Sequence, residues 1–485
     1  MRISEIFNLN MTQRQLDFVN VNIEVDTPLF LDPYYIGNRP DNWSYDAHRT
    51  IESFFQHILS LFKSNNITRA RQLFENLGEP NETCLGISTN RPNGRGIGVD
   101  EAEKVFKHLY ESKVIQNNIV GHFEDLVIFV DKIGKDKISD LTTNIIRKHL
   151  IDYTISQCEL LGIPLEDNVP TGFYWNGEKL RWENGYEKGL VIGERVIILV
   201  PKWAVSYSNA YTKDYYAQHF VLNFMQNEHL RLNTSLVRTK TTKKGVVKRR
   251  VYKKDLKASE PVFQKEYLRE FTLKHPEVFE DFRKRAKSKI EPISNPKLSN
   301  IIGQEEIDII DYLILQFTTI SAGAKEATNY HRLVTSVLEY LFYPFITRPI
   351  IEQEIHDGRK RIDIVFDNSA EKGFFFDLHT IKKIPASYIF VECKNYTKDI
   401  KNPELDQIAG RFSLRRGKFG FIVFRDIDDF ETLIKRCADT FNDDRGCIIP
   451  LMDEDLIFLL KSLKTEDGNI IDGFLKDRLR KIIMK

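Results

Sequence analysis

Ser387-Tyr388-Ile389-Phe390-Val391-Glu392-Cys393-Lys394 is the stretch on which the reading of this chain turns. An apolar run ends in a glutamate and a lysine, and burying a charge without a partner is costly. Strand alternation puts Glu392 and Lys394 on one face and sends Val391 and Cys393 to the other. One strand end therefore presents a carboxylate and an ammonium side by side. A second acid lies upstream in Arg361-Ile362-Asp363-Ile364-Val365-Phe366, another apolar strand with one embedded aspartate. Two strand carboxylates and a lysine suit a hard divalent cation, a phosphate and a water.

The ordered set Asp363, Glu392, Lys394 resembles the active-site signature of the PD-(D/E)XK nuclease superfamily, which includes many restriction endonucleases, resolvases and repair nucleases. Asn395-Tyr396 follow the lysine, as in restriction-type branches. In Asn402-Pro403-Glu404-Leu405-Asp406-Gln407-Ile408-Ala409-Gly410-Arg411-Phe412, Gln407 resembles the helix glutamine of several subfamilies. Lys418-Phe419-Gly420-Phe421-Ile422-Val423-Phe424-Arg425 follows as the next core strand. The resemblance covers about residues 301–485. Ile362 rather than proline precedes Asp363, and the long gap to Glu392 implies an insertion around Glu371–Pro385.

The resemblance implies a catalytic set of Asp363, Glu392, Lys394, Gln407 and Glu339, the last as an auxiliary acid on the helix Tyr330–Leu341. Asp363 and Glu392 would ligate Mg2+, with Mn2+ as a substitute and the Cys393 carbonyl as a third ligand. Magnesium takes oxygen ligands and keeps several waters, so two carboxylates are enough to seat it. Lys394 would orient or deprotonate the attacking water, or stabilise the charge that develops. Glu352 and Glu354 are further candidates on the first strand. His331, His356 and His379 lack metal-ligand spacing and read as ordinary polar residues. The Cys393 side chain reads as core, because alternation points it away from Lys394.

The 485 residues suffice for two or three domains with sizeable cores. Apolar content of 42% and charged content of 29% fit a globular protein. The formal net charge is only +1, so nucleic-acid binding has to come from local clusters. Cys84, Cys158, Cys393, Cys437 and Cys447 are widely spaced, with no CxxC pair. That pattern argues against a zinc ribbon or a disulfide framework and favours a reducing cytoplasm. No apolar run approaches the roughly 20 residues needed to cross a bilayer. The start, Met1 to Ile6, lacks the apolar core of a signal peptide. There is no internal repeat and no GxxxxGK[ST] loop, so any ATPase or other defence partner would be a separate protein.

The expected fold class is multidomain α/β (α+β). Residues 1–235 read as a mixed or mainly helical recognition or regulatory domain, with helical spacing over Asp46–Phe62 and Ile138–Leu161 and a buried strand at Val196–Val200. Residues 236–300 read as a basic arm and helical linker. Between Arg238 and Lys257 stand Arg238, Lys240, Lys243, Lys244, Lys248, Arg249, Arg250, Lys253, Lys254 and Lys257, against Asp255 alone. Lys243-Lys244-Gly245 suits the turn of a hairpin, and Lys243, Lys244, Lys248, Arg249 and Arg250 are candidate phosphate contacts. Residues 301–485 alternate strand and helix, as expected for a mixed sheet flanked by helices. In them a helix over 403–416, with Asn402 as N-cap and Gly417 at its exit, would place Gln407, Arg411 and Arg415 on one face, the arginines toward phosphate.

These expectations describe a Mg-dependent DNA endonuclease in a restriction-like or antiviral setting. One site cuts one strand, so double-strand cleavage implies a homodimer or two sequential nicks. The alternatives are a repair, transposition or RNA nuclease of the same chemistry, and a catalytically silent nucleic-acid-binding sensor.

Overall fold

A computed structural model describes residues 1–86, 99–206, 211–241, 247–287, 291–304, 309–355, 360–397, 400–464 and 469–485. Lys243, Lys244 and His356 lie outside the described residues, as do the side chains of Glu352 and Glu354. The chain forms a multidomain α/β structure around two hydrophobic cores, one drawn from Ile3 to Leu298 and the other from Ile309 to Ile482. Among the described residues no helix is long and apolar enough to cross a membrane.

The first unit is mainly helical. Helix α1 (Asn42–Lys63) is capped by Asp41, whose carboxylate accepts from the Ser44 N–H at 2.8 Å. Ala47, Ile51, Phe54, Phe55, Ile58 and Phe62 line its buried face at helical spacing. The single helix expected over Ile138–Leu161 is two, α2 (Lys135–Ile145) and α3 (Arg147–Leu161), broken at Ile146, where ψ swings to 16°. A short antiparallel sheet follows α3, with strands Glu166–Pro170, Tyr186–Ile192 and Arg195–Ile197.

Helix α4 (Leu222–Leu232) leads to a hairpin of β1 (Arg238–Thr241) and β2 (Val247–Arg250). Three helices come next, α5 (Lys253–Ser259), α6 (Lys265–Lys274) and α7 (Pro276–Lys287). The segment expected as a helical linker is instead built into the first core through Val251, Leu256, Leu268, Phe271, Phe279 and Phe282. Phe279 and Phe282 share one face of α7, and the Phe129 ring meets Phe279 edge-on at 4.9 Å. Aromatic residues at i, i+3 spacing in a charged stretch thus mark a packed helix, not a tether.

The second unit begins with α8 (Ile310–Thr319) and α9 (Ala327–Phe342). Its sheet has the order β3 (Ile346–Ile355), β4 (Lys360–Asn368), β5 (Tyr388–Lys394), β6 (Phe419–Phe424) and β7 (Cys447–Met452). β3, β4 and β5 are antiparallel neighbours, and β5, β6 and β7 are parallel. The parallel strands are buried almost end to end, which is why they read as continuous apolar runs. The expected insertion between β4 and β5 carries α10 (Gly373–Thr380). Helix α11 (Asn402–Ala409) connects β5 to β6, and α12 (Phe430–Asn442) connects β6 to β7. Helices α13 (Asp453–Ser462) and α14 (Ile470–Ile483) close the chain.

The two units meet across buried charge. Lys202 Nζ lies 2.9 Å from Glu339 Oε1, with both side chains shut off from solvent. The ammonium also sits 4.0 Å over the Tyr343 ring. Beside it, Asp17 accepts from Tyr153 Oη at 2.8 Å and from the Arg348 N–H at 3.1 Å. Burial pushes the Glu339 carboxyl well above the usual glutamate range, Lys202 pulls it back, and Asp17 adds to the upward push.

Removing one member of such a pair strands the other, at a cost of about 3–5 kcal/mol. Lys202→Met should lower the urea midpoint accordingly, and Lys202→Met with Glu339→Leu should recover most of it. The native state holds the Glu339 proton to higher pH than the unfolded chain does, so this residue's contribution to stability falls as pH rises above the ordinary glutamate value. Glu339→Gln should flatten that fall in urea titrations across pH 4–8.

Candidate active site

The antiparallel ladder of β4 and β5 ends at the pair Ile364↔Val391. One residue further on, the strands part. The Cys393 N–H is then left without a ladder acceptor on that side, and Asp363 Oδ2 takes it at 2.9 Å. An embedded aspartate is thereby fixed at the point where the sheet opens.

Glu392, only 1% exposed, faces the same opening, and its two oxygens are held by different cations. Lys394 Nζ donates to Oε1 at 2.7 Å, and the Arg411 guanidinium closes on Oε2. Lys394 also donates to Gln407 Oε1 at 3.0 Å. Asp363 of β4, Glu392 and Lys394 of β5 and Gln407 of α11 therefore meet at one strand end. Burial lowers the pKa of Lys394 from the usual lysine value, with Asp363 and Glu404 pulling the other way. Burial also lowers that of Arg411. The Cys393 thiol is buried and its pKa is pushed well up by desolvation, so it stays protonated and sits in the core.

Three expectations need correction. Glu339 is the buried partner of Lys202 and does not join this site. On α9 it stands eight residues, about 12 Å of helix, from the end that faces Asp363. Helix α11 stops at Ala409 instead of running to 416, with Lys401 rather than Asn402 as its N-cap. Arg411 and Arg415 therefore do not continue the face of Gln407. The chain turns back after α11 through a Ser413–Gly417 bridge, with Gly417 at φ +130°, to enter β6. Arg411 is inward and paired with Glu392, where a phosphate contact was expected, whereas Arg415 is exposed. Third, Arg249 hydrogen-bonds the Leu230 carbonyl at 3.0 Å and Asn233 Oδ1 at 2.5 Å, which ties it to the C-terminal end of α4.

Two features of the site went unseen in the sequence. His331 on α9 brings Nε2 to 4.0 Å from Asp363 Oδ2. A lone histidine carries no spacing signal, so nothing in the sequence singles it out. Arg425, just past β6, gathers the surroundings: it donates to Asn395 Oδ1, Asp453 Oδ2 and the Phe317 and Ile320 carbonyls, and it stacks over Tyr330 at 4.2 Å. Asn395 in turn bonds the Ser321 and Gly323 carbonyls and accepts the Gly323 N–H at 2.7 Å. Gly323, at φ +126°, adopts a backbone conformation that a side chain would strain. The residues after Lys394 are thereby pinned to the loop between α8 and α9.

Among the described residues no group of three or more His, Cys, Asp or Glu side chains gathers as a metal cage. The donor set is two carboxylates, which suits a hard cation that keeps most of its waters. An ion on Glu392 would compete with Arg411 for the same carboxylate. A domain-of-unknown-function family model, DUF8370, matches residues 8–212, within the first unit. No curated protein and no solved structure matches the chain.

If Arg411 supplies the charge balance at Glu392, then Arg411→Ala should tighten Mn2+ binding several-fold in calorimetry, and Arg411→Lys should leave it near the wild-type value.

Proposed function

We propose that this chain is a metal-dependent DNA endonuclease whose active site lies at the end of β5. The observation that carries the reading is the convergence of Asp363, Glu392, Lys394 and Gln407 at one opening of the sheet. Asp363 and Glu392 would hold Mg2+, or Mn2+ in its place, together with the Cys393 carbonyl. The ion, when bound, supplies a Lewis acid for the scissile phosphate. Lys394 is held between Glu392 and Gln407, so its ammonium is aimed by two acceptors. In that position it orients the attacking water, takes up its proton when itself neutral, or stabilises charge developing on the phosphate. Gln407 acts as a positioning residue through Lys394. A restriction-like or antiviral role in the cytoplasm, with a homodimer cutting both strands, is the setting that fold analogy favours.

One observation favours a second reading. Both oxygens of Glu392 are already neutralised by Lys394 and Arg411, as suits a catalytically silent fold that binds nucleic acid without cutting it. The two readings part on one experiment. Purified full-length protein is incubated with supercoiled plasmid in magnesium and in EDTA, beside Asp363→Ala and Lys394→Ala, with single-stranded and RNA substrates as parallel arms. The endonuclease reading expects magnesium-dependent nicking or linearisation of DNA. Each variant should lower it about a hundredfold or more while keeping most of the DNA binding. Cleavage unchanged in both variants would reject the site assignment, no cleavage by the wild type would favour the silent fold, and cleavage of RNA alone would move the substrate class.

A further inference from the structure

The β1–β2 hairpin pairs Arg238 with Arg250 and Lys240 with Lys248. Residues opposite each other in an antiparallel pair share a face, as do residues two apart along a strand. All four cations therefore stand on one face of the ribbon, and two like-charged pairs face each other directly. Such pairs are destabilising in isolation. Thr239, Arg249 and Val247 fall on the opposite face, and there Arg249 is bonded to the Leu230 carbonyl and to Asn233. Arg238 is partly neutralised by Asp255 at 2.7 Å. Lys240, Lys248 and Arg250 are exposed and make no ion pair among the described residues.

We propose that this four-cation face is a phosphate-binding ribbon that seats on duplex DNA. The charge pattern selects the partner: the face repels itself unless a polyanion lies along it, and it carries no apolar side chain with which to enter a lipid surface. The shape selects the form, because the major groove of B-form DNA admits a two-stranded β-ribbon and that of an A-form RNA duplex is too narrow. The sequence alone suggested phosphate contact by Arg249 as well. The pairing register turns Arg249 away and brings Arg238 and Lys240 in. This surface lies outside the candidate active site and binds whether or not that site hydrolyses anything.

The test is fluorescence anisotropy of the full chain in EDTA with a labelled DNA duplex of about 30 base pairs, titrated at several salt concentrations. Lys240→Ala/Lys248→Ala/Arg250→Ala should make the slope of log K against log salt shallower by about 2 to 3. Affinity near 0.1 M salt should fall at least tenfold, and Arg249→Ala should leave the slope unchanged. The charge-keeping variant Lys240→Arg/Lys248→Arg/Arg250→Lys should restore both slope and affinity, which separates lost charge from a misfolded hairpin. An unaltered slope in the alanine variant with an unchanged far-UV spectrum would overturn the proposal. So would equal binding to an RNA duplex or to phosphatidylserine vesicles, an Arg249→Ala effect as large as that of the triple variant, or no duplex binding by the wild type. Failure of cleavage in magnesium bears on the endonuclease reading and leaves this result untouched.

Discussion

A carboxylate out of reach of water has to be neutralised, and Glu392 is the group on which the second unit is organised. It stands near the end of a strand that is apolar up to that point, it is almost completely buried, and it is met from two sides by Lys394 and Arg411. Lys394 comes from the same strand, two residues on, as alternation dictates. Arg411 comes from the turn after α11, so the path of the chain between β5 and β6 is tied to the charge on Glu392. Gln407 then receives the remaining side of the ammonium. The loop between α8 and α9 is held to Asn395, the residue after Lys394, by the Asn395 side-chain amide, by the Gly323 N–H on the Asn395 carbonyl and by Arg425. A chain of charge-assisted contacts thus holds open the point where β4 and β5 separate.

Helix α9 links this site to the rest of the molecule. Its first half carries Tyr330, bonded to Asp453 at 2.7 Å, and His331, near Asp363. Its last turns carry Glu339, against Lys202 of the first unit, and Tyr340, which accepts a hydrogen bond from Arg14 at 3.0 Å. One rigid element therefore touches both the candidate site and the buried charge between the units. The same helix explains why an acid that looks suitably placed in sequence is not in the site: one helix cannot present residues eight apart to the same small opening.

Much of the second unit was legible because its strands are unusually clear. β5, β6 and β7 are buried on both faces, and burial of that kind leaves uninterrupted apolar runs. The two acids and the lysine stood out against those runs, and Gln407 came from the resemblance to the superfamily's helix glutamine. What was not legible was set by contacts between distant residues. The end of α11 depends on the turn that returns the chain to β6, where the Phe412 ring lies 5.5 Å from that of Phe390. The inward position of Arg411 depends on Glu392, and Arg249, though exposed, is directed by the Leu230 carbonyl. Residues 253–287 looked like a charged linker because their apolar positions are sparse, yet Leu256, Leu268, Phe271, Phe279 and Phe282 suffice to bury one face of each helix.

The sequence by itself determined the five strands of the second unit, which residues on them carry charge, and that Glu392 and Lys394 share a face, because strand alternation is a local property of the backbone; the first unit's strands Glu166–Pro170 and Tyr186–Ile192 it did not mark. It also marked the β-prone arms that pair as β1 and β2. Only the tertiary structure decided which partner each charge would take. Glu339 was given to Lys202, Arg411 to Glu392, and His331 was brought to Asp363, because pairing of buried charges depends on which groups the packed chain leaves within a few ångströms of one another, and that distance is not written in the spacing of residues along it.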